Sequence, residues 1–310
     1  MDNITIIVAL LAATLRMATP LIFAGLGGVF SEKSGVVNIG LEGIMVIGAF
    51  FAVYGTYATK NPFLGIVYAM VAGMAVSLIH AFLSITMRAD QVISGTAINL
   101  FSTAFASFMI VKVFHKGGQT DTVTSLPYKL PKFIKDIPII GDLLNDLNWF
   151  VILALILVFV SSYVLYKTRL GLRIRAVGEH PAAADTLGIN VYKIRYLCVV
   201  ISGALAGLGG AALSIGITPV YREGMVSGRG FIALAAMIFG NWKPKGTMWA
   251  CLLFGFAEAF QIKAQSFGLN LPQEVYAMFP YVLTMLALAG FVGKTSPPAA
   301  DGVPYEKGKR

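Results

Sequence analysis

Trp149-Phe150-Val151-Ile152-Leu153-Ala154-Leu155-Ile156-Leu157-Val158-Phe159-Val160-Ser161-Ser162-Tyr163-Val164-Leu165-Tyr166 contains no charged residue. As a helix rising ~1.5 Å per residue it reaches most of the way across a hydrocarbon core of roughly 30 Å. It has no polar face to turn toward water, so a bilayer is its natural solvent. The whole chain agrees. Of its 310 residues, 57% are hydrophobic and 13% charged, with mean hydropathy +0.76. A soluble domain is about 25% charged. The balance excludes a cytosolic enzyme, a nucleic-acid binder and a disordered chain, and leaves an all-α, polytopic transmembrane bundle. Cys198 and Cys251 lie inside apolar runs and imply no disulfide framework.

Working outward from 149–166, comparable apolar runs occur at 4–30, 38–57, 63–87, 92–113, 195–218, 231–241, 247–264 and 276–293. All but 231–241 are long enough to cross. That short run must be broken, tilted or supported by neighbours, because unpaired backbone survives at depth only where protein or water satisfies it. Met-Asp-Asn lacks a basic leader region, so the first run reads as a retained span.

Orientation follows from the basic residues. The loop 167–195 carries Lys167, Arg169, Arg173, Arg175, Lys193 and Arg195 and is assigned to the cytoplasm. Counting outward places 31–37, 86–91, 242–246 and the tail 294–310 inside too. The N-terminus falls outside, with 114–148 as an external loop. The basic tail lands inside only if 231–241 crosses, which predicts about nine spans in one domain over 1–293. The net charge of +9 therefore describes topology rather than affinity for nucleic acid.

Ala24-Gly25-Leu26-Gly27-Gly28 recurs as Ala206-Gly207-Leu208-Gly209-Gly210. Each copy lies in a long span, and a glycine-containing turn and a second apolar segment follow it. The two long spans run in opposite directions, the pattern of an inverted-topology repeat. Close helix packing through small residues explains the glycines equally well. Segment 35–43, Gly-Val-Val-Asn-Ile-Gly-Leu-Glu-Gly, puts three glycines, Asn38 and Glu42 where a span should begin. With 231–241 it forms a pair of irregular, broken segments in matching places, which points to a substrate path.

In the loop, Gly178-Glu179-His180-Pro181-Ala182-Ala183-Ala184-Asp185-Thr186-Leu187-Gly188-Ile189 reads as a short helix, with proline at its first position and glycine past its end. Two turns are not stable alone in water. The helix must dock, either in a groove on a cytoplasmic partner or against its own chain.

Thr168-Arg169-Leu170-Gly171, Arg175-Ala176-Val177-Gly178-Glu179 and Ala182-Ala183-Ala184-Asp185-Thr186-Leu187-Gly188-Ile189-Asn190-Val191 resemble the cytoplasmic loop of bacterial ABC importer permeases. The branch is the one handling simple sugars, branched-chain amino acids and nucleosides. Ser34-Gly35-Val36-Val37-Asn38-Ile39-Gly40-Leu41-Glu42-Gly43-Ile44-Met45 is most similar to the nucleoside members. Gly230-Phe231-Ile232-Ala233-Leu234-Ala235-Ala236-Met237-Ile238-Phe239-Gly240-Asn241-Trp242, with Pro244-Lys245-Gly246, matches as well. The resemblance spans roughly 15–293. It implies a permease of the bacterial cytoplasmic membrane whose coupling helix, at about 181–188, receives an ATPase's motion. Glu179, His180, Pro181, Ala182, Ala183, Asp185, Thr186, Leu187, Gly188 and Ile189 would form that surface. It also implies a second, homologous permease as heterodimer partner, the chain lacking the extra N-terminal span of the sugar permeases. A cytoplasmic ABC ATPase would hold ATP and magnesium, and an extracellular or lipid-anchored binding protein would deliver the solute.

Nucleotide and catalytic motifs are missing from the sequence itself. Gly293-Lys294-Thr295 resembles a phosphate-loop ending, but Leu288 stands where the first glycine belongs. His80, His115 and His180 have no metal-ligand spacing, and no catalytic constellation is visible. The chain is expected to bind no cofactor, and ATP must be hydrolysed on another chain.

Three charges remain at depth: Arg16, Glu42 and Glu258. Each costs roughly 2.5–3.5 kcal/mol on insertion scales. Arg16 and Glu258 lie on the order of 20 Å from the inner surface by helical rise, and Glu42 is shallower. Depth therefore predicts an Arg16–Glu258 pair that locks two helices. The stretch 91–108 carries Gln91, Ser94, Thr96, Asn99, Ser102 and Thr103, interleaved with Phe101, Phe105 and Phe108. Amides and hydroxyls suit an uncharged hydroxylated solute, and a ring can stack on a base. Interhelical hydrogen bonding explains the same residues. The candidate pathway residues are Asn38, Glu42, Gln91, Ser94, Asn99, Ser102 and Phe105. The expected function is uptake of nucleosides. Ribose-like sugars and branched-chain amino acids are alternatives, and an ion-coupled secondary transporter is the alternative of another class.

Overall fold

The computed structural model describes residues 3–127, 147–264, 275, 278, 282, 285 and 295–308. Among them the chain is helical, with one isolated β-bridge. The helices are α1 Asn3–Lys33, α2 Leu41–Thr59, α3 Pro62–Ala81, α4 Gln91–Phe114, α5 Trp149–Lys167, α6 Arg169–Glu179, α7 Pro181–Thr186, α8 Val191–Ala211, α9 Arg229–Phe239 and α10 Pro244–Ala264. Short π-helical turns, Phe82–Thr86 and Ala212–Ile217, extend α3 and α8.

Polar residues at the predicted boundaries start these helices by accepting from free backbone amides. Asn61 accepts from Phe63 with Pro62 behind it, and Asp90 Oδ1 from Val92 and Ile93. Asn148, Thr168 and Asn190 do the same for Val151, Gly171 and Lys193.

Among the described residues, six helices are long and apolar enough to cross a membrane: Ile6–Lys33, Leu41–Thr59, Pro62–Thr86, Gln91–Phe114, Trp149–Lys167 and Val191–Ile217. The nine-span reading divides at the remaining three. α9 has 11 residues, ~16 Å of rise, about half a crossing. α10 is long enough, but Glu258 and Lys263 dilute its apolarity. The run 276–293, apart from residues 278, 282 and 285, and most of the expected external loop (128–146) lie outside the described residues.

α8 and α2 are the most enclosed of the six, whereas α3, α4 and α5 turn large apolar side chains outward. α2 packs on α8, and α9 packs on α1. Glycine makes this closeness possible. A Cβ on Gly48 of α2 would stand 2.4 Å from the Gly207 carbonyl of α8, and one on Gly27 of α1 would stand 2.8 Å from the Ser202 carbonyl. Side chains cannot interpose where backbones meet at that distance.

The two ends of the bundle are distinct. At one, the loop after α4 is zipped to the loop before α9: Thr120 N donates to Tyr221 O (2.9 Å) and Val123 N to Pro219 O (2.8 Å). At the other, the end of α1, the α3–α4 turn, α6, α7, the start of α8, the α9–α10 turn and residues 295–308 gather together. The expected basic tail is thus folded onto the bundle here, with Pro298, Ala300 and Tyr305 buried. Burial pushes the Asp301 carboxyl up to about 6.

Candidate functional site

The break between α1 and α2 is the centre of the polar structure. Residues 34–40 leave helical geometry, so their backbone groups need partners from elsewhere. α3 and α4 supply them. Val37 N donates to Gln91 Oε1 (2.7 Å) and Gly43 N to Asn99 Oδ1 (2.7 Å), while Asn99 Nδ2 donates to Ile39 O (3.1 Å). His80 Nε2 lies 2.9 Å from Val37 O. A carbonyl only accepts, so Nε2 carries the proton and Nδ1 accepts from Ser94 Oγ at 3.0 Å. Asn38 Nδ2 donates to Ser202 Oγ on α8 (3.0 Å).

The expected pathway residues therefore converge, but most are engaged in holding the break. Gln91, Asn99 and, through His80, Ser94 complete its backbone. Asn38, Gln91, Ser94 and Ser102 are buried. Asn38 Oδ1, Gln91 Nε2 and Ser102 Oγ have no hydrogen-bond partner among the described residues. Phe105 is half-buried and stacks on Phe51 (ring centroids 6.4 Å), whereas Phe101 and Phe108 face outward. Sequence reasoning missed His80 and Ser202. A histidine inside an apolar span was the available signal, since a buried imidazole must find hydrogen-bond partners.

Glu42 is committed to a distant helix end. Its Oε1 accepts from Gly228 N (2.8 Å) and its Oε2 from Gly230 N (2.7 Å), at the N-terminus of α9. Those amides are orphan donors at the positive end of the helix dipole, where a carboxylate is favoured. Gly230 is required there because an added Cβ would lie 2.5 Å from Glu42 Cα.

Glu258, expected to face Arg16, has a basic partner that the depth reading does not name. Glu258 binds Arg229 through Nη2, and the arginine's Nη1 donates to the carbonyls of Met225 (2.9 Å) and Val226 (3.2 Å). Arg229 reaches Glu258 because α9 and α10 form a hairpin that closes where Gly240 meets Thr247. Arg229 lies eleven residues before that contact and Glu258 eleven after it. Arg16 is itself partnered.

In the coupling segment, Ala184 is the buried residue of α7, and Ala182, Ala183, Thr186, Leu187 and Gly188 are exposed, Leu187 by 81%. Pro181 stands at the first position. Gly188 (φ +79°) closes the helix, its amide bonding to Asp185 O and that of Ile189 to Ala184 O. α7 thus rests on its own chain by one edge and offers the other outward. Glu179, next to exposed His180, accepts from Ala299 N (3.2 Å), and Asp185 lies 3.9 Å from Lys307.

The family model described as "Branched-chain amino acid transport system / permease component" matches residues 10–288. The guanosine ABC transporter permease protein NupQ of Bacillus subtilis (strain 168) is 48% identical over 321 residues, covering 100% of both chains. The nucleoside ABC transporter permease protein NupC of Lactococcus lactis subsp. cremoris (strain MG1363) is 42% identical over 320 residues, again covering 100% of both. From that same strain, the nucleoside ABC transporter permease protein NupB is 26% identical over 306 residues, covering 94% of this chain and 82% of the relative. The chain therefore belongs to the branched-chain amino acid transport system permease family: it is a membrane-embedded transport subunit of an ABC transporter, not an enzyme.

Proposed function

We propose that the chain is one translocating subunit of an ATP-driven importer of nucleosides, with purine nucleosides as the main class. Identity along the whole chain to permeases named for guanosine and for nucleosides carries this reading. The path chemistry supports it. The charges around the break are compensated, Glu42 by two amides and Glu258 by Arg229. Asn38 Oδ1, Gln91 Nε2 and Ser102 Oγ, without partners among the described residues, are amide and hydroxyl groups, which suit a neutral hydroxylated solute. An ion-coupled carrier is not favoured, because Glu42, the carboxylate that would serve it, is already spent on a helix end.

The finer architecture belongs to the same proposal. Nine crossings in two inverted halves accord with the crosswise packing of α2 on α8 and α9 on α1. The 167–195 loop and the tail share one end, which we assign to the cytoplasm of a bacterial cell, and the N-terminus lies outside. A separate ATPase, holding ATP and magnesium, pushes on the exposed face of α7. A second permease completes the pore, in line with two nucleoside permeases, NupB and NupC, occurring in one strain. A binding protein delivers the solute.

Uptake of radiolabelled guanosine by proteoliposomes containing the complete transporter tests the proposal. Unlabelled purine nucleosides are expected to compete, ribose and leucine are not, and uptake should need ATP inside or outside according to the side that α7 faces. Competition by ribose or leucine alone, or uptake indifferent to ATP, overturns it.

A further inference from the structure

Residues 295–308 cross the end of the bundle where α7 sits. Their middle is firmly held. Ala300 N donates to the Gly178 carbonyl at the end of α6 (2.9 Å). Arg195, 1% exposed in α8, spends Nη1 on the Val303 carbonyl (3.0 Å). A buried guanidinium aimed at main chain makes the tail part of the structure rather than a solvated extension, since a buried charge left unpaired is costly.

The margins of the tail are held differently. Ser296 N reaches Asn241 Oδ1 in the α9–α10 turn (3.1 Å). Glu306 pairs with Arg88 in the α3–α4 turn (2.8 Å), with both side chains 42% exposed. Lys307 stands 3.9 Å from Asp185 of α7. Such exposed pairs are weak and screened, so they constrain geometry more than they stabilise. α7, two turns long, cannot hold its own position. The tail grips the chain before it, at Gly178 and Glu179, and approaches it again at Asp185. The same tail is fastened to the turns that join α3 to α4 and α9 to α10. Those four helices carry His80, Gln91 and Asn99, which hold the break between α1 and α2, and the Arg229–Glu258 pair.

We infer that residues 296–307 are a strap that passes displacement of α7 to the inner ends of α3–α4 and α9–α10, with Arg88 and Glu306 as positioning residues. This rests on α7 being the ATPase contact proposed above. The strap sets how much solute moves per ATP hydrolysed, which packing alone would not.

The test measures ATP hydrolysis and guanosine uptake together, in proteoliposomes holding the complete transporter. Glu306→Arg and Arg88→Glu are each expected to lower uptake per ATP several-fold with hydrolysis retained. The double reversal, Arg88→Glu with Glu306→Arg, is expected to restore the ratio. Because the pair is exposed, all three should retain wild-type elution and melting behaviour. Unchanged uptake per ATP in both single variants, or no recovery in the double, overturns the strap. Ala183→Trp, on the exposed face of α7, separates the two readings. If it uncouples while the single reversals do not, only the strap falls. If it too leaves the ratio unchanged, the role of α7 fails and the strap falls with it.

Discussion

Glu42 and Gly230, 188 residues apart in the chain, meet through a hydrogen bond of 2.7 Å, the glycine amide donating to Oε2. The other oxygen of the carboxylate takes the Gly228 amide. The start of α2 thereby caps the start of α9, and two segments far apart in the chain are joined there.

Glu42→Ala leaves two amides without an acceptor and should lower stability by about 1–3 kcal/mol. Glu42→Gln keeps one carbonyl acceptor and should fall between. Thermal unfolding in detergent, with the yield of assembled protein, reads the order. Equal melting of Ala and Gln variants would contradict the cap.

Glu258 and Arg229 form a partly buried pair, and removing either partner leaves the other uncompensated. Each single alanine variant is expected to cost on the order of 2 kcal/mol, and Arg229→Met with Glu258→Leu to recover much of it. A double-mutant cycle measures the pair: Arg229→Ala and Glu258→Ala should be non-additive by about 0.5–3 kcal/mol.

Gly48 meets the Gly207 carbonyl across the α2–α8 contact. Gly48→Ala should force two backbones apart at a cost of about 1–3 kcal/mol. Gly117→Ala, with nothing within 4 Å of the added carbon, is the matched control and should melt with the wild type.

Asp301 titrates in the folded tail. Burial raises its carboxyl from 3.8 to about 6, so the folded form holds the proton more tightly than the unfolded chain does. The resulting stabilisation is full at and below 3.8 and is lost as pH rises through about 6. Wild-type melting temperature should therefore fall across that window relative to Asp301→Asn. A pH-independent difference between the two proteins would show that Asp301 does not carry the effect.

Much of this architecture was legible in the chain, for identifiable reasons. Long runs without charge marked most of α3, α4 and α5, and Asn61, Asp90 and Asn148 stand where they begin. Three glycines with Asn38 and Glu42 showed that α2 could not start as an ordinary span. The alternative of interhelical hydrogen bonding described Gln91 and Asn99 well, because amides inside a bundle find backbone wherever a helix is interrupted. What each would bond to was not legible, since the receiving groups are carbonyls and amides of a non-helical segment with no pattern of its own. The Arg229–Glu258 pairing was not legible, because it depends on hairpin register. Nor was the docking of the tail, since nothing in 295–308 announces that Arg195, Gly178 and Arg88 wait for it.

The capping of α9 by Glu42 has an electrical consequence. A helix end that would otherwise present positive potential is neutralised from within the protein, and the neutralising charge is held by main chain at both oxygens. On the proposed function, a neutral solute passing this point would meet no net charge, and turnover should be indifferent to membrane voltage.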